Sequence, residues 1–404
     1  MVHSASRPLS TYRGEVTELL VANEASFDFR SGEYVSLYKS SHATAFQGPH
    51  WLAGIHDTVM PSLGAESVTI TGRLKSGRLV FALPLMRRRL FGMHYVEFAG
   101  VTLCDYQNAI YDMSELPLLL DDVTLPTRVS ACLGPCDLIT LNKLQEHDAV
   151  LRALFPDARK AVMRLATYPS TLESDWGKWR CRNIDQDFQR YLDRKRRRLG
   201  RSGKTKFLLV EDRQELVRVF EHVRRFRADR FKELGVHDVT EQDSIFMFYQ
   251  NAAIDGAMHG FSSTFCLYLD DQPIAVIFGL RDDRRFSLVL AAFDTKCYRN
   301  LSVGLLATED AIRECLQMGL SIFDFTIGDH YYKLQFGGKK SPLFEWHIPR
   351  TARGYLGTAV LEAIREAKRT LKPWLKKDGH WGSAQDTPRL IDRCRQILSD
   401  APRE

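Results

Sequence analysis

The feature that most constrains this chain is a run of three strand-like segments closed by tight-turn residues. Thr264-Phe-Cys-Leu-Tyr-Leu269 is followed by a turn at Asp270-Asp-Gln-Pro273. Ile274-Ala-Val-Ile-Phe-Gly-Leu280 comes next, then a second turn at Asp282-Asp283 and the segment Phe286-Ser-Leu-Val-Leu-Ala-Ala-Phe293. Runs of β-branched and aromatic residues broken by Gly, Asp and Pro form antiparallel strands, because the branched side chains suit a pleated, half-buried surface. A shorter copy of the signature lies upstream, with Val68-Thr-Ile-Thr71, a turn at Lys75-Ser-Gly77, and Arg78-Leu-Val-Phe-Ala-Leu-Pro-Leu85. A chain of 404 residues exceeds what one core usually serves, so each half is expected to own a meander.

Helical periodicity flanks these strands. From Arg213 to Lys232 the apolar residues Leu216, Val217, Val219, Phe220, Val223 and Phe226 recur at helical spacing, and Gly304 to Met318 carries another amphipathic run. Ser302 is placed to cap the second helix, and Gly319 to take the left-handed residue past its end. A last strand, Ser321 to Ile327, follows and stops at Gly328. The predicted class is α+β, with two lobes that each hold a mixed, mainly antiparallel sheet flanked by helices. The expected divisions are residues 1–165, residues 166–350, and a basic helical tail at 351–404.

Charge and cysteine usage narrow the function classes. The net charge of +6 is mild, but residues 190–206 hold nine Lys or Arg against the single acid Asp193. Such a run reads as a solvated helix face or as a seat for an anionic partner. The eight cysteines are scattered, with Cys132 and Cys136 the one close pair, and no second Cys/His pair stands at zinc spacing. No metal is therefore expected. The N-terminus lacks an apolar signal region and no 18-residue apolar run occurs, so a cytoplasmic location is expected. No nucleophile elbow, His-Glu-x-x-His motif or complete Walker loop is present, which removes support for hydrolase, metalloprotease and NTPase chemistry.

The chemistry concentrates where a strand gives way to a helix, because unpaired amides and the helix dipole there attract phosphate. Asp294 to Gly304 occupies such a junction. Its small residues let a diphosphate approach the main chain, and Lys296 and Arg299 supply cations.

The spacing Arg299-x-x-Ser302-x-Gly304 resembles the acyl-CoA diphosphate loop of GNAT acyltransferases, with Ser302 where that family usually has Gly. Asp294 through Gly337 is similar to the GNAT-like domain of bacterial proteins linked to cellulose and other exopolysaccharide synthesis. The likeness rests on the loop at 298–306, Met318-Gly319, Phe323-Asp-Phe325, and Gly328-Asp329 with Tyr332-Lys333. It extends upstream to Arg194-Lys-Arg-Arg-Arg-Leu199 and His222 through Arg230. In the first lobe it includes Gly77 to Leu85, and Asp105-Tyr106 after Phe98-Ala-Gly100.

This resemblance implies transfer of an acyl group from acyl-CoA, most often to an amine, without metal. Donor contacts fall on Lys296, Arg299, Asn300, Leu301, Ser302, Val303 and Gly304. Between the strands ending at Phe293 and Ile327, a gap would hold the pantetheine arm. Asp324, between two core aromatics, is the expected general base, since burial raises a carboxyl pKa. Asp329, Tyr332 and Lys333 follow on a loop beside the gap, with Tyr332 able to protonate the leaving thiolate. His222 and Arg230, two turns apart on one helix, would face the acceptor, which the resemblance suggests is an amino sugar or saccharide precursor.

Two other accounts keep the fold. The two-lobed arrangement also resembles Fem-type aminoacyl transferases, which extend peptidoglycan bridges from charged tRNA. Residues 190–206 would then meet RNA phosphates, although Tyr191 is the sole aromatic there to stack on bases, so a nucleic-acid partner is not expected. A non-catalytic effector is the third account. It would bind a cyclic dinucleotide through Arg350, Arg353 or residues 194–198 and associate peripherally with a membrane polysaccharide-synthesis complex.

Overall fold

A computed structural model describes residues 19–363 apart from 91, 101–102, 147, 236 and 361. Two sheets carry the chain, as the paired meanders require. The first is eight-stranded: β1 (Leu20–Asn23), β2 (Glu66–Arg73), β3 (Leu79–Leu90), β4 (Met93–Phe98), β5 (Ile110–Tyr111), β6 (Leu138–Leu144), β7 (Arg159–Thr167) and a late strand at Ser341–Pro349. The second contains β8 (Pro169–Thr171), β9 (Thr205–Leu209), β10 (Ser262–Leu269), β11 (Gln272–Arg281), β12 (Arg285–Phe293) and β13 (Ile322–Asp324). The late strand, β14, lies between β6 and β7, and the second sheet runs β8-β13-β12-β11-β10-β9. The result is the mixed two-sheet α+β architecture expected.

The sheets exchange strands. β7 and β8 are separated only by Tyr168, yet β7 pairs with β14 in the first sheet and β8 with β13 in the second. β14 follows the whole second lobe in sequence but joins the first sheet, with Trp346 opposite Leu141 and Ile348 opposite Ile139. Residues 341–349, expected within the second lobe, therefore build the first sheet. Of the basic helical tail expected at 351–404, residues 352–360 are helical, and those from 364 onward lie outside the described residues.

The helices used below are α1 (Gly32–Lys39), α2 (Pro49–Gly54), α3 (Leu125–Cys132), α4 (Ala149–Leu154), α5 (Trp176–Asn183), α6 (Gln186–Gly200), α7 (Arg213–Glu233), α8 (Asp243–His259), α9 (Val303–Gln317) and α10 (Tyr331–Gln335). α3 and α4 cover one face of the first sheet through Val129, Val150 and Leu151. A second core joins the lobes: Trp51 on α2 meets Phe248 on α8 edge to face at 4.6 Å, and the same cluster reaches Phe278 and Leu290 of the second sheet. Each such aromatic, when fully buried, contributes about 1.5–3 kcal/mol, so the lobes are held by core packing. A third core lies on the opposite face of the second sheet, where α6 and α9 pack on Ile277, Leu288 and Phe323. Among the described residues no helix is long and apolar enough to cross a membrane.

Candidate active site

The second sheet opens where the resemblance requires a gap. β12 and β13 run parallel for three residue pairs, Arg285 with Ile322, Phe286 with Phe323 and Ser287 with Asp324, and then part. The expected strand to Ile327 ends early because Thr326 takes a left-handed conformation, φ 53°, which turns the chain away. β12 continues to Phe293 with a bulge: Gly279 faces Leu288 and Phe278 faces Leu290, leaving Val289 as the extra residue. Beyond Ser287 no described strand pairs with this edge of β12.

At the end of β12, Asp294 accepts a hydrogen bond from the Cys297 amide, and a single helical turn, Arg299–Leu301, delivers the chain to Ser302. Ser302 has φ 55° and ψ 40° and makes no capping bond to α9. The expected cap is absent because the left-handed backbone turns its hydroxyl to Tyr191, whose phenol oxygen lies 2.6 Å away. Leu305 and Leu306 donate to the Ser302 carbonyl, and the two amides before them, of Val303 and Gly304, stand at the positive end of a 15-residue helix with no intrahelical acceptor. A methyl group at Gly304 would lie 2.7 Å from the Phe293 ring, so glycine allows the helix to approach the strand end.

The cations expected to serve this turn are engaged. Lys296 pairs with Asp229 at 2.6 Å and Arg299 with Glu233 at 2.5 Å, both across to α7. Lys195, from α6, donates to the Asn300 carbonyl, and Leu301 is buried beneath the turn. Of the basic run, Lys195 and Arg196 are drawn into the fold, while Arg190, Arg194, Arg197, Arg198, Arg201, Lys204 and Lys206 are exposed. Arg196 binds Glu309 at 2.8 Å and Asp310 at 2.7 Å, and Arg180 on α5 binds Glu309 at 2.8 Å.

Asp324 is fully buried, and its carboxylate accepts from the Tyr106 hydroxyl at 2.6 Å, from Arg285 at 3.1 Å and from the Thr326 amide at 2.8 Å. Burial pushes its pKa up, against the lowering effect of Arg285. Three donors hold this acid as a junction between the lobes, since Tyr106 belongs to the first. Lys333, 2% exposed, donates to the carbonyls of Phe325, Thr326 and Ile327 at 2.8, 3.2 and 2.8 Å. It thereby fixes the segment that leaves β12, while burial lowers its pKa to about 8.

Asp329 and Tyr332 follow on the loop beyond Thr326. Asp329 accepts from the Tyr168 hydroxyl at 2.6 Å and is half exposed. The Tyr332 ring packs edge-on against Phe325, and its hydroxyl bonds to no described group; burial raises its pKa to about 12, while Arg230 lowers it. Arg230 lies with Cζ 4.8 Å from the Phe293 ring centroid. His222 turns instead to its own helix, with Nδ1 2.9 Å from Arg225 Nη2 and its ring on Phe226. Burial lowers its pKa, with Arg225 adding to the effect. The structure thus gathers Arg230, Phe293, Tyr332 and the start of α9, and leaves His222 against Arg225.

Five residues that sequence reasoning passed over hold this arrangement: Tyr106, Tyr168, Tyr191, Arg285 and Phe293. Tyr106 was visible only as a member of a motif and Tyr191 only as the aromatic of the basic run, since their partners lie 218 and 111 residues away. Among the described residues no three His, Cys, Asp or Glu side chains come together to hold a metal ion.

Comparison with solved structures finds the same fold over about four-fifths of the chain. The crystal structure of FemX superposes with a TM-score of 0.54 at 11% identity, covering 80% of this chain and 97% of that one. A conserved protein of unknown function from Bacteroides thetaiotaomicron VPI-5482 gives 0.52 at 10% identity, covering 82% and 100%. At these identities the likeness is one of fold. No curated protein sequence matches the chain. Within it, residues 186–334 match the acetyltransferase (GNAT) domain, and this stretch contains the parted strands, the turn at Ser302 and the loop bearing Tyr332.

Proposed function

We propose that this protein is an acyl-CoA-dependent N-acyltransferase that passes its acyl group directly to an amine. The observation that carries the reading is the parting of β12 from β13 directly beside the unpaired amides of Val303 and Gly304. A diphosphate at those amides and a pantetheine arm along Val289–Phe293 would bring the thioester between the strands, where positioning replaces a bimolecular encounter. The amine nitrogen attacks the thioester carbon, the C–S bond breaks, and the thiolate takes the Tyr332 phenol proton. The proton released by the new ammonium passes to Asp329, the half-exposed carboxylate of the same loop. Asp324 and Lys333 serve as positioning residues, fixing the loop that presents both groups. The acceptor assigned here is an amino sugar or saccharide precursor in exopolysaccharide assembly. This assignment rests on the sequence resemblance, as does peripheral association with a membrane polysaccharide-synthesis complex.

Isothermal calorimetry with acetyl-CoA and longer acyl-CoAs tests this reading. Binding that is lost when Gly304 is enlarged supports it, and a folded protein that binds none of them removes it. Donation from charged tRNA is the weaker reading, because Tyr191, the one aromatic of the basic run, stacks on Phe188 and bonds to Ser302.

A further inference from the structure

The gap beside β12 contains a cation without a counter-charge. Arg230 is half-buried on α7, over the Phe293 ring and within electrostatic reach of Tyr332 and His330. The other arginines that α7 withdraws from water each have a carboxylate: Arg218 with Glu215, Arg224 with Asp243, and Arg227 with Asp238. The acids next to Arg230 along the helix are engaged elsewhere, Asp229 by Lys296 and Glu233 by Arg299. Among the described residues none pairs with Arg230. A guanidinium partly out of water without a partner opposes folding, and one resting on an aromatic face keeps its N–H edge free for a planar anion.

Resting on the acyl-transfer reading above, we propose that Arg230 binds a carboxylate or phosphate on the acyl acceptor, which makes the substrate class an anionic amine. Helix placement separates this role from donor binding. The apolar face of α7 packs with Phe278 and Leu290 on one side of the second sheet, and α9 packs with Ile277 and Leu288 on the other. The amides at the start of α9 would take the donor's diphosphate, while Arg230 reaches the gap from α7 across the Phe293 ring, which also abuts Gly304. Tyr332 lies beside it, so an anion held by Arg230 places a neighbouring amine close to the hydroxyl that protonates the leaving group.

The test uses the full chain, its Arg230→Gln and Arg230→Lys variants, and two matched pairs of amines: glucosamine 6-phosphate against glucosamine, and glycine against glycinamide. Circular dichroism checks that the variants are folded. Calorimetry on the wild type is expected to show at least one anionic member binding about 10- to 100-fold more tightly than its neutral partner. Arg230→Gln should erase that preference while acetyl-CoA affinity stays within about twofold, and Arg230→Lys should restore part of it. Equal or absent binding of both members in both pairs overturns the proposal, as does a loss of acetyl-CoA affinity in Arg230→Gln, which would assign the arginine to the donor. Failure of the wild type to bind acetyl-CoA while an Arg230-dependent anion preference persists would sink the acyl-transfer reading and leave the anion site standing.

Discussion

The hydroxyls of Tyr191 and Ser302 meet at 2.6 Å, tying the basic helix α6 to the turn that opens α9. This contact holds Ser302 at φ 55°, a conformation that costs an L-residue about 1–2 kcal/mol and that glycine adopts freely. Ser302→Ala should keep the strain and lose the bond, lowering stability by about 1 kcal/mol. Ser302→Gly loses the same bond but relieves the strain, so it should be the more stable of the two by about 1 kcal/mol. Urea unfolding of both variants checks the order, and an alanine variant as stable as the glycine one would mean that the turn stores no strain.

Glu309 is 3% exposed and receives Arg180 and Arg196 from two different helices. Its removal leaves two guanidinium groups without their shared partner, and breaking a buried pair in this way typically costs about 3–5 kcal/mol. Arg196 retains Asp310, so the lower end applies, and Glu309→Ala should cost about 3 kcal/mol in chemical denaturation. Arg194→Ala, which removes a residue with no carboxylate partner among the described residues, should change stability by less than about 0.5 kcal/mol. Equal losses in the two variants would refute the assignment of α6 as a docked helix.

What could be read from the chain follows the range of the interactions. The meander from Thr264 to Phe293 was legible because strand periodicity and turn residues are local. α9 was legible in the same way, including Gly319, which is left-handed at φ 79°. The candidate site was legible as a segment, since Gly304 abuts Phe293 at the end of β12 and Arg230, within reach of Tyr332, rests on the same ring. Its electrostatics were not, because nothing near Lys296 or Arg299 in sequence reveals Asp229 and Glu233 on a helix more than sixty residues earlier. β14 entered the first sheet for a similar reason: a strand pattern shows that a segment will pair, but not with which sheet. Ser321 to Ile327 reads as an unbroken strand, and only the tertiary fold, with Lys333 holding three of its carbonyls, shows where it bends.

His56 lines a cavity of about 390 Å³ in the first lobe, shared with Phe27, Phe29, Met60 and Ser67 and away from the parted strands. Its ring sits 4.6 Å from Phe29, and burial lowers its pKa to about 4 from an ordinary value of 6.5. The folded state therefore binds this proton less readily than the unfolded chain. The stability contributed by the neutral ring is fully present above pH 6.5 and is lost as pH falls through about 4, by about 3 kcal/mol in all. His56→Phe should lack this component, so the difference between wild-type and variant unfolding free energies should change between pH 6.5 and 4 and stay level above pH 7. A pH-independent difference would show that His56 is not held neutral by burial.

Gly304 decides whether the start of α9 can stand against the end of β12. An added Cβ would lie 2.7, 2.8 and 3.0 Å from three atoms of the Phe293 ring, inside van der Waals contact, so Gly304→Ala must displace the ring or the helix. The ring is not free to move without effect, because Arg230 rests on its face. If the helix moves instead, the amides of Val303 and Gly304 shift relative to β12, and a displacement near 1 Å at such a site can cost about 100-fold. Gly304→Ala should therefore weaken acetyl-CoA binding in calorimetry by 10-fold or more. Adding Phe293→Leu should recover part of the affinity by making room. If the single variant binds acetyl-CoA as the wild type does, the α9 amides are not the donor's anchor and the gap beside β12 needs another occupant.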